Sequence, residues 1–232
     1  WDRDVAAAAK EATRQGHTIA RELRAQGVDF SFAPVLDIDF GRSGVIGDRA
    51  LHRNPNAVAH LARCLIEGLA AGGCANVGKH YPGHGHVAAD SHAELPVDER
   101  PLADLVAADL VPFAALARSG LDAIMPAHVV YSRIDAALAG FSRFWLRERL
   151  RGFYGFDGMI FSDDLSMAGA HAAGDIVARA DAAAEAGCDV VLVCNDPASA
   201  DRLLSTWRPP TNERLASRWR TMEGRETRAC PA

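Results

Sequence analysis

Traced by its apolar and polar positions, the chain alternates between two periods. Residues Asp4 to Gln26 are rich in Ala, Glu and Arg and are followed by Gly27, which predicts a helix. Asp29-Phe-Ser-Phe-Ala-Pro-Val-Leu-Asp37 comes next, a short apolar run of β-forming residues. Asn54-Pro55 then offers an N-cap and first-turn pair; Val58, Leu61, Leu65 and Leu69 recur at helical spacing, and Gly72-Gly73 closes the helix. The cycle repeats with a strand at Ala75 to His80 and a long polar loop to about Arg100. From Pro101 a helix is predicted, with Leu102, Val106, Leu110 and Phe113 on one face. Asp122 to His128 reads as a third strand, and Ser142 caps a short helix holding Phe144, Trp145, Leu146 and Leu150. Gly158 to Asp163 is a fourth strand, Ile176 to Ala186 a helix, and Asp189 to Cys194 a fifth strand. From Pro209 onward the sequence is Arg-rich, Pro-containing and aperiodic, and predicts a loosely ordered tail.

Strands that are apolar on both faces and alternate with helices imply a parallel sheet covered by helices. Polar groups gather at the C-terminal strand ends: Asp37 and Asp39, Lys79 and His80, His128, Asp163 and Asp164, Asn195 and Asp196. That end carries the active site in a (β/α) barrel, and ligands bind there in an open doubly wound sheet too. No G-x-G-x-x-G follows the first strand, which disfavours a dinucleotide fold. Five strands are legible where a closed barrel has eight.

Composition narrows the class. At 49% hydrophobic and 24% charged residues the chain lies away from disorder. Its 25 basic and 30 acidic residues are well mixed, net −5, so no nucleic-acid partner is expected. No apolar run approaches the ~20 residues of a membrane span, so no membrane partner is expected either. The five cysteines are scattered and unpaired in sequence, which argues against a disulfide framework and a zinc ribbon and points to free thiols in the cytoplasm. The first residue is Trp1 and the sequence opens inside a helix; no leader is legible, and the true N-terminus is read as missing.

Two stretches carry candidate chemistry. Residues 79–96 hold four of the nine histidines, at positions 80, 84, 86 and 92, in a glycine-bearing loop whose length favours function over a merely solvated connection. In Gly155-Phe-Asp-Gly-Met-Ile-Phe-Ser-Asp-Asp-Leu-Ser-Met167 two carboxylates are adjacent. Side chains alternate along a strand, so only one of Asp163 and Asp164 can face a barrel centre, and the other needs a structural partner. Both could instead cap the next helix. His84-Gly-His86, with His80, His92, His128 and Asp163, would also suit a metal-dependent amidohydrolase, although that H-x-H sits in a Pro-Gly loop rather than on a strand.

Lys79-His-Tyr-Pro-Gly-His-Gly85, Asp90-Ser-His92, Ile124-Met-Pro-Ala-His128 and Phe161-Ser-Asp-Asp-Leu-Ser-Met167, in that order, resemble the bacterial β-N-acetylglucosaminidases of glycoside hydrolase family 3. Ser31-Phe-Ala-Pro-Val-Leu-Asp37 and Ile46-Gly-Asp-Arg49 fit the same family, and the resemblance runs from about Gln15 to Asn195. It implies an α/β fold, a (β/α)8 TIM-type barrel over residues 1–208 with a C-terminal tail over 209–232. The family's N-terminal strands, including an Asp-Gln-Glu-Gly-Gly-Arg segment that also binds the sugar, have no counterpart in this chain. The resemblance implies Asp163 as nucleophile, His92 as acid/base, Asp90 as the carboxylate orienting His92, and Arg49, Lys79 and His80 as sugar-binding residues. It implies release of terminal β-linked N-acetylglucosamine from small-molecule muropeptides in cytoplasmic peptidoglycan recycling, with retention and with no metal or cofactor. A His can donate and then accept a proton near neutral pH, and a nearby Asp can orient it. Tyr81 stands where the family more often has Phe, and His86 is given no role. A truncated remnant that only binds amino sugars is the non-enzymatic alternative.

Overall fold

The structure, a computed structural model, describes residues 1–88 and 95–231. Helix α1 (Val5–Ala25) begins where the Asp4 carboxylate accepts the Ala7 amide, and α2 (Pro55–Ala71) begins where Asn54 accepts the amides of Asn56 and Ala57, with Pro55 in the first turn. Between them lies the short strand β1 (Phe30–Ser31), and after α2 comes β2 (Ala75–Tyr81). The chain continues through β3 (Val97–Asp98), α3 (Leu102–Ala107), α4 (Leu110–Leu116), β4 (Ala123–Pro126) and β5 (Val130–Tyr131). It then runs through a wide-turn helix (Phe144–Phe153), β6 (Met159–Asp164), α5 (Ile176–Ala186), β7 (Val190–Leu192), α6 (Pro197–Thr206) and α7 (Leu215–Met222).

Five of these strands form one parallel sheet in the order β1-β2-β4-β6-β7. The order follows the chain without a reversal, whereas a doubly wound sheet turns back at a switch point. Parallel strands added in a constant direction are the winding of a TIM-type barrel, in which right-handed crossovers set the connecting helices on one side. Among the described residues the sheet is a half-barrel with two edges, β1 and β7. The helix side packs Ile124 and Ile160 against Phe113, Trp145, Leu146 and Ile176. The inner side packs Ala75 and Val77, Ala123 and Met125, and Met159 and Phe161, flanked by Phe30, Phe32, Val190 and Leu192. Alternate residues therefore serve opposite layers, as a period of two requires.

Helices α1 and α2 approach until backbone meets backbone. A Cβ on Gly16 would stand 2.1 Å from the Leu65 carbonyl oxygen, and one on Gly68 would stand 2.1 Å from that of Thr13. Only hydrogen fits at either point.

Several sequence expectations change in detail. The run 29–37 is one strand in expectation, but Pro34 cannot donate to a ladder, so β1 stops at Ser31 and pairing resumes through Val35 opposite Lys79. The helix expected from Pro101 is two, because Pro112 removes the amide that would bond to Ala108; Val106, predicted inward, is exposed. The aperiodic reading after Pro209 gives way over 215–222 to α7. That helix buries Met222 against the inner face of the sheet, and Arg218 bonds Asp189 at 2.7 Å. Among the described residues no helix is long and apolar enough to cross a membrane.

Candidate active site

The inward rows of the half-barrel change character at one end. On β2 the row is Ala75, Val77, Lys79, and on β6 it is Met159, Phe161, Asp163. Lys79 and Asp163 thus continue apolar rows and emerge at the C-terminal ends of their strands. They line a cavity of about 200 Å³ together with Phe32, Arg49, His80 and His84, with Met125 and Leu192 among its apolar walls. Four predicted residues, Arg49, Lys79, His80 and Asp163, therefore come together. His92 and Asp90 lie outside the described residues.

Consecutive strand residues point to opposite faces, yet Lys79 and His80 both line this cavity. The register of β2 against β4 slips between Lys79 and Tyr81, and the slip brings His80 round to the same side. Asp37 secures it there. This carboxylate is wholly buried; its Oδ2 accepts from His80 Nδ1 at 2.7 Å and from the His80 amide at 3.2 Å, and its Oδ1 accepts the His84 amide at 2.6 Å. Burial pushes the Asp37 carboxyl up, but the charge and hydrogen bond of His80 and the His84 amide outweigh it and hold it below the usual carboxylate value. The next turn is pressed flat on this strand end: a Cβ on Gly85 would stand 1.9 Å from the Ile38 carbonyl oxygen.

Arg49 ends a short 3₁₀ turn (Gly47–Arg49), and its Nε and Nη2 donate to the Val45 carbonyl at 3.0 and 2.6 Å, leaving the guanidinium beside the cavity. The Lys79 ammonium lies 5.9 Å from the centre of the Phe32 ring. Burial, then the charge of Arg49, pulls Lys79 below its ordinary value, while Asp163 and Asp37 act the other way. Such a cluster can bind a hydroxylated, uncharged ligand by charge-assisted hydrogen bonds around one carboxylate.

The two adjacent carboxylates both border the cavity but differ in their hydrogen bonds. Asp164 accepts the amides of Ser166 and Cys194, each at 2.9 Å, and the Ser166 hydroxyl lies 2.7 Å from its Oδ1. Its carbonyl accepts from His128 Nε2 at 3.0 Å, so the buried His128 braces the strand end. Asp163 accepts the Asp164 amide at 2.8 Å and otherwise faces the cavity. The tie from Asp164 to Cys194 joins the ends of β6 and β7.

The H-x-H pair does not converge. His84 lines the cavity of Asp163, while His86 borders a different one, stacked edge-on against Phe40 with Nε2 3.2 Å from Arg42. Among the described residues no three His, Cys, Asp or Glu side chains are grouped to hold a metal ion. The sequence reading gave no role to Asp37 or to the Phe32 wall. For Asp37 the available signal was its place at the C-terminal end of a strand-like run.

A family model described as the glycosyl hydrolase family 3 N terminal domain matches residues 2–208. A β-hexosaminidase of Bordetella avium is 56% identical over 217 residues, covering 93% of this chain and 62% of that protein. The crystal structure of NagZ from Neisseria gonorrhoeae in complex with N-trifluoroacetyl-D-glucosamine is similar with a TM-score of 0.89 and 53% identity, over 97% of this chain and 65% of that one. A family 3 β-N-acetylglucosaminidase from Paenibacillus sp. is similar with a TM-score of 0.83 and 32% identity, over 92% of this chain and 42% of that one. The chain thus spans somewhat less than two thirds of the length of the curated relatives it matches.

Proposed function

The chain belongs to glycosyl hydrolase family 3, and on that premise we propose that it carries the sugar-binding and nucleophilic machinery of a retaining β-N-acetylglucosaminidase. The observation that carries this reading is the convergence of Asp163, Lys79, Arg49 and His80 on one cavity at the C-terminal end of a parallel sheet. The similarity to β-hexosaminidases and to a NagZ bound to an N-acylated glucosamine supports an amino sugar as ligand. In this reading the half-barrel belongs to a complete (β/α)8 barrel in the intact enzyme. Residues 1–208 form the catalytic unit and 209–232 are appended to it.

The proposed chemistry proceeds in two displacements. Asp163 attacks the anomeric carbon, the glycosidic bond breaks, and the leaving oxygen takes a proton from His92, which Asp90 orients. Water then attacks the glycosyl-Asp163 ester while His92 takes its proton, releasing the sugar with its original configuration. Lys79, Arg49 and His80 hold the hydroxyls of the ring, so the nucleophile meets a fixed anomeric carbon. The half-buried Lys79 ammonium and the more exposed Arg49 guanidinium suit this role because their hydrogen bonds to a sugar hydroxyl are charge-assisted. Asp164 in this scheme is structural: its oxygens are engaged by Ser166 and Cys194. The substrates we propose are muropeptides of cytoplasmic peptidoglycan recycling, and the chemistry requires no metal or cofactor.

The direct test is release of p-nitrophenol from its β-N-acetylglucosaminide, with mass spectrometry of the protein after a slow 2-fluoro or 5-fluoro glycosyl donor. Turnover with a glycosyl adduct on the peptide containing Asp163 is expected. Turnover with no adduct, insensitive to Asp163→Ala, would overturn the assignment of the nucleophile.

A further inference from the structure

We infer that Asp37 is a positioning residue: it keeps a proton on Nδ1 of His80 and thereby aims Nε2 of that ring into the cavity. The inference rests on the reading of His80 as a sugar-binding residue only for its kinetic consequence; the protonation pattern itself stands on geometry.

Asp37 has no exposed surface, and both of its oxygens are used. Among the described residues, the donors that reach it come from the chain just after Lys79: the His80 amide, the His80 ring and the His84 amide. A buried carboxylate is tolerated when it accepts several hydrogen bonds, and three donors at 2.6 to 3.2 Å meet that condition. An ionised carboxylate only accepts, so the ring nitrogen 2.7 Å from it must carry hydrogen. The other nitrogen is then left for the cavity that His80 lines. A free neutral imidazole has no such constraint, and either nitrogen can hold the proton. The carboxylate therefore decides which hydrogen-bonding face a sugar hydroxyl meets.

The arrangement has a second consequence. His84 lines the same cavity, and its amide is held by the Asp37 oxygen that His80 does not use. One carboxylate thus fixes the strand end and the start of the following turn, so that His80 and His84 cannot shift independently. Their rings lie 6.1 Å apart in an edge-on arrangement.

The test is a long-range proton–nitrogen correlation spectrum of the histidine rings, with His80 identified by the signal lost in His80→Asn. In the wild type, Nδ1 of His80 is expected to be protonated, with its proton far downfield and slow to exchange. In Asp37→Ala that proton is expected to leave Nδ1. In Asp37→Asn, which preserves volume and so guards against loss of the fold, the proton is expected to move upfield because its acceptor is no longer charged. An unprotonated Nδ1 in the wild type, or a spectrum unchanged in a folded Asp37 variant, overturns the inference. These readouts need no turnover, so they are independent of the glycosidase reading.

Where turnover is measured, Asp37→Asn should lower kcat/KM by about 10-fold or more, the scale expected when an imidazole loses its orienting partner. In a His80→Ala background the same substitution should cost less than about 3-fold, because its effect runs through a ring already absent. Equal losses in both backgrounds would make Asp37 merely structural and overturn its role as a positioning residue.

Discussion

Met159, Phe161 and Asp163 occupy successive inward positions of β6, and Ala75, Val77 and Lys79 do the same on β2. The first two members of each row are buried in the apolar interior, while the third opens into the cavity. Backbone geometry is continuous along each row, so what separates packing from chemistry is depth within the sheet. At mid-strand an inward side chain is enclosed on all sides: Phe161 meets Phe30 and Phe32 at ring distances of 5.4 and 5.5 Å. One step further the enclosing layer ends, water or a ligand can reach the side chain, and a charge costs less to keep. Rigid apolar packing beneath holds Lys79 and Asp163 without either having to contribute to stability.

The largest effect that would break this comparison is expected at Asp163. Asp163→Ala should reduce turnover by about 10⁴-fold or more, as loss of a covalent nucleophile does elsewhere, and leave the melting temperature nearly unchanged. Turnover within ~10-fold of wild type would mean that the upper row does not divide function from packing in this way.

Phe161→Ala should do the reverse. Emptying a fully enclosed aromatic site costs roughly 3–5 kcal/mol of stability, read by denaturant unfolding. Ligand affinity of the protein that remains folded should change little. An equally stable variant would show that the inner layer is loosely filled and that the cavity above it has no firm floor.

The adjacent pair gives a sharper version on a smaller scale. Asp164→Ala removes the acceptor of the Ser166 and Cys194 amides and leaves those donors to find water. A loss of about 1–3 kcal/mol is expected, smaller in Asp164→Asn, because one oxygen can still accept. A variant that loses turnover completely with no change in stability would reverse the roles of Asp163 and Asp164.

Which parts of this were legible follows from how local their causes are. Helix α2 could be read because its start is written in Asn54-Pro55 and its buried face in residues spaced by three and four. The five sheet strands could be read because each is a compact apolar run between breakers. The split at Ala108 also had a local cause in Pro112, but the surrounding period masked it. Helix α7 could not be read in the same way, because its burial depends on an inner face made by distant strands. At the site, alternation required that Asp163 and Asp164 differ, yet which one faces inward came from the family resemblance. His80 was found by the same resemblance, while Asp37 was missed because its partners lie more than forty residues away and meet it only after the sheet has formed.

The smallest effect concerns pH and separates the two charges of the upper row. Burial and Arg49 depress Lys79 below its usual value of 10.5, so its charge is lost at a lower pH in the folded protein than in the unfolded chain. The sign for stability follows: the unfolded chain binds more protons through this range, so this group's contribution rises with pH. Its contribution to ligand binding runs oppositely, since neutral Lys79 no longer supplies a charge-assisted hydrogen bond. Affinity for N-acetylglucosamine, measured by titration calorimetry, should therefore fall on an alkaline limb that starts below pH 10.5. In Lys79→Arg, whose charge persists, that limb should vanish even if affinity at neutral pH is weaker, because guanidinium is not titrated there. A limb unchanged in Lys79→Arg would assign the loss to another group and leave Lys79 with a packing role like that of Val77 beneath it.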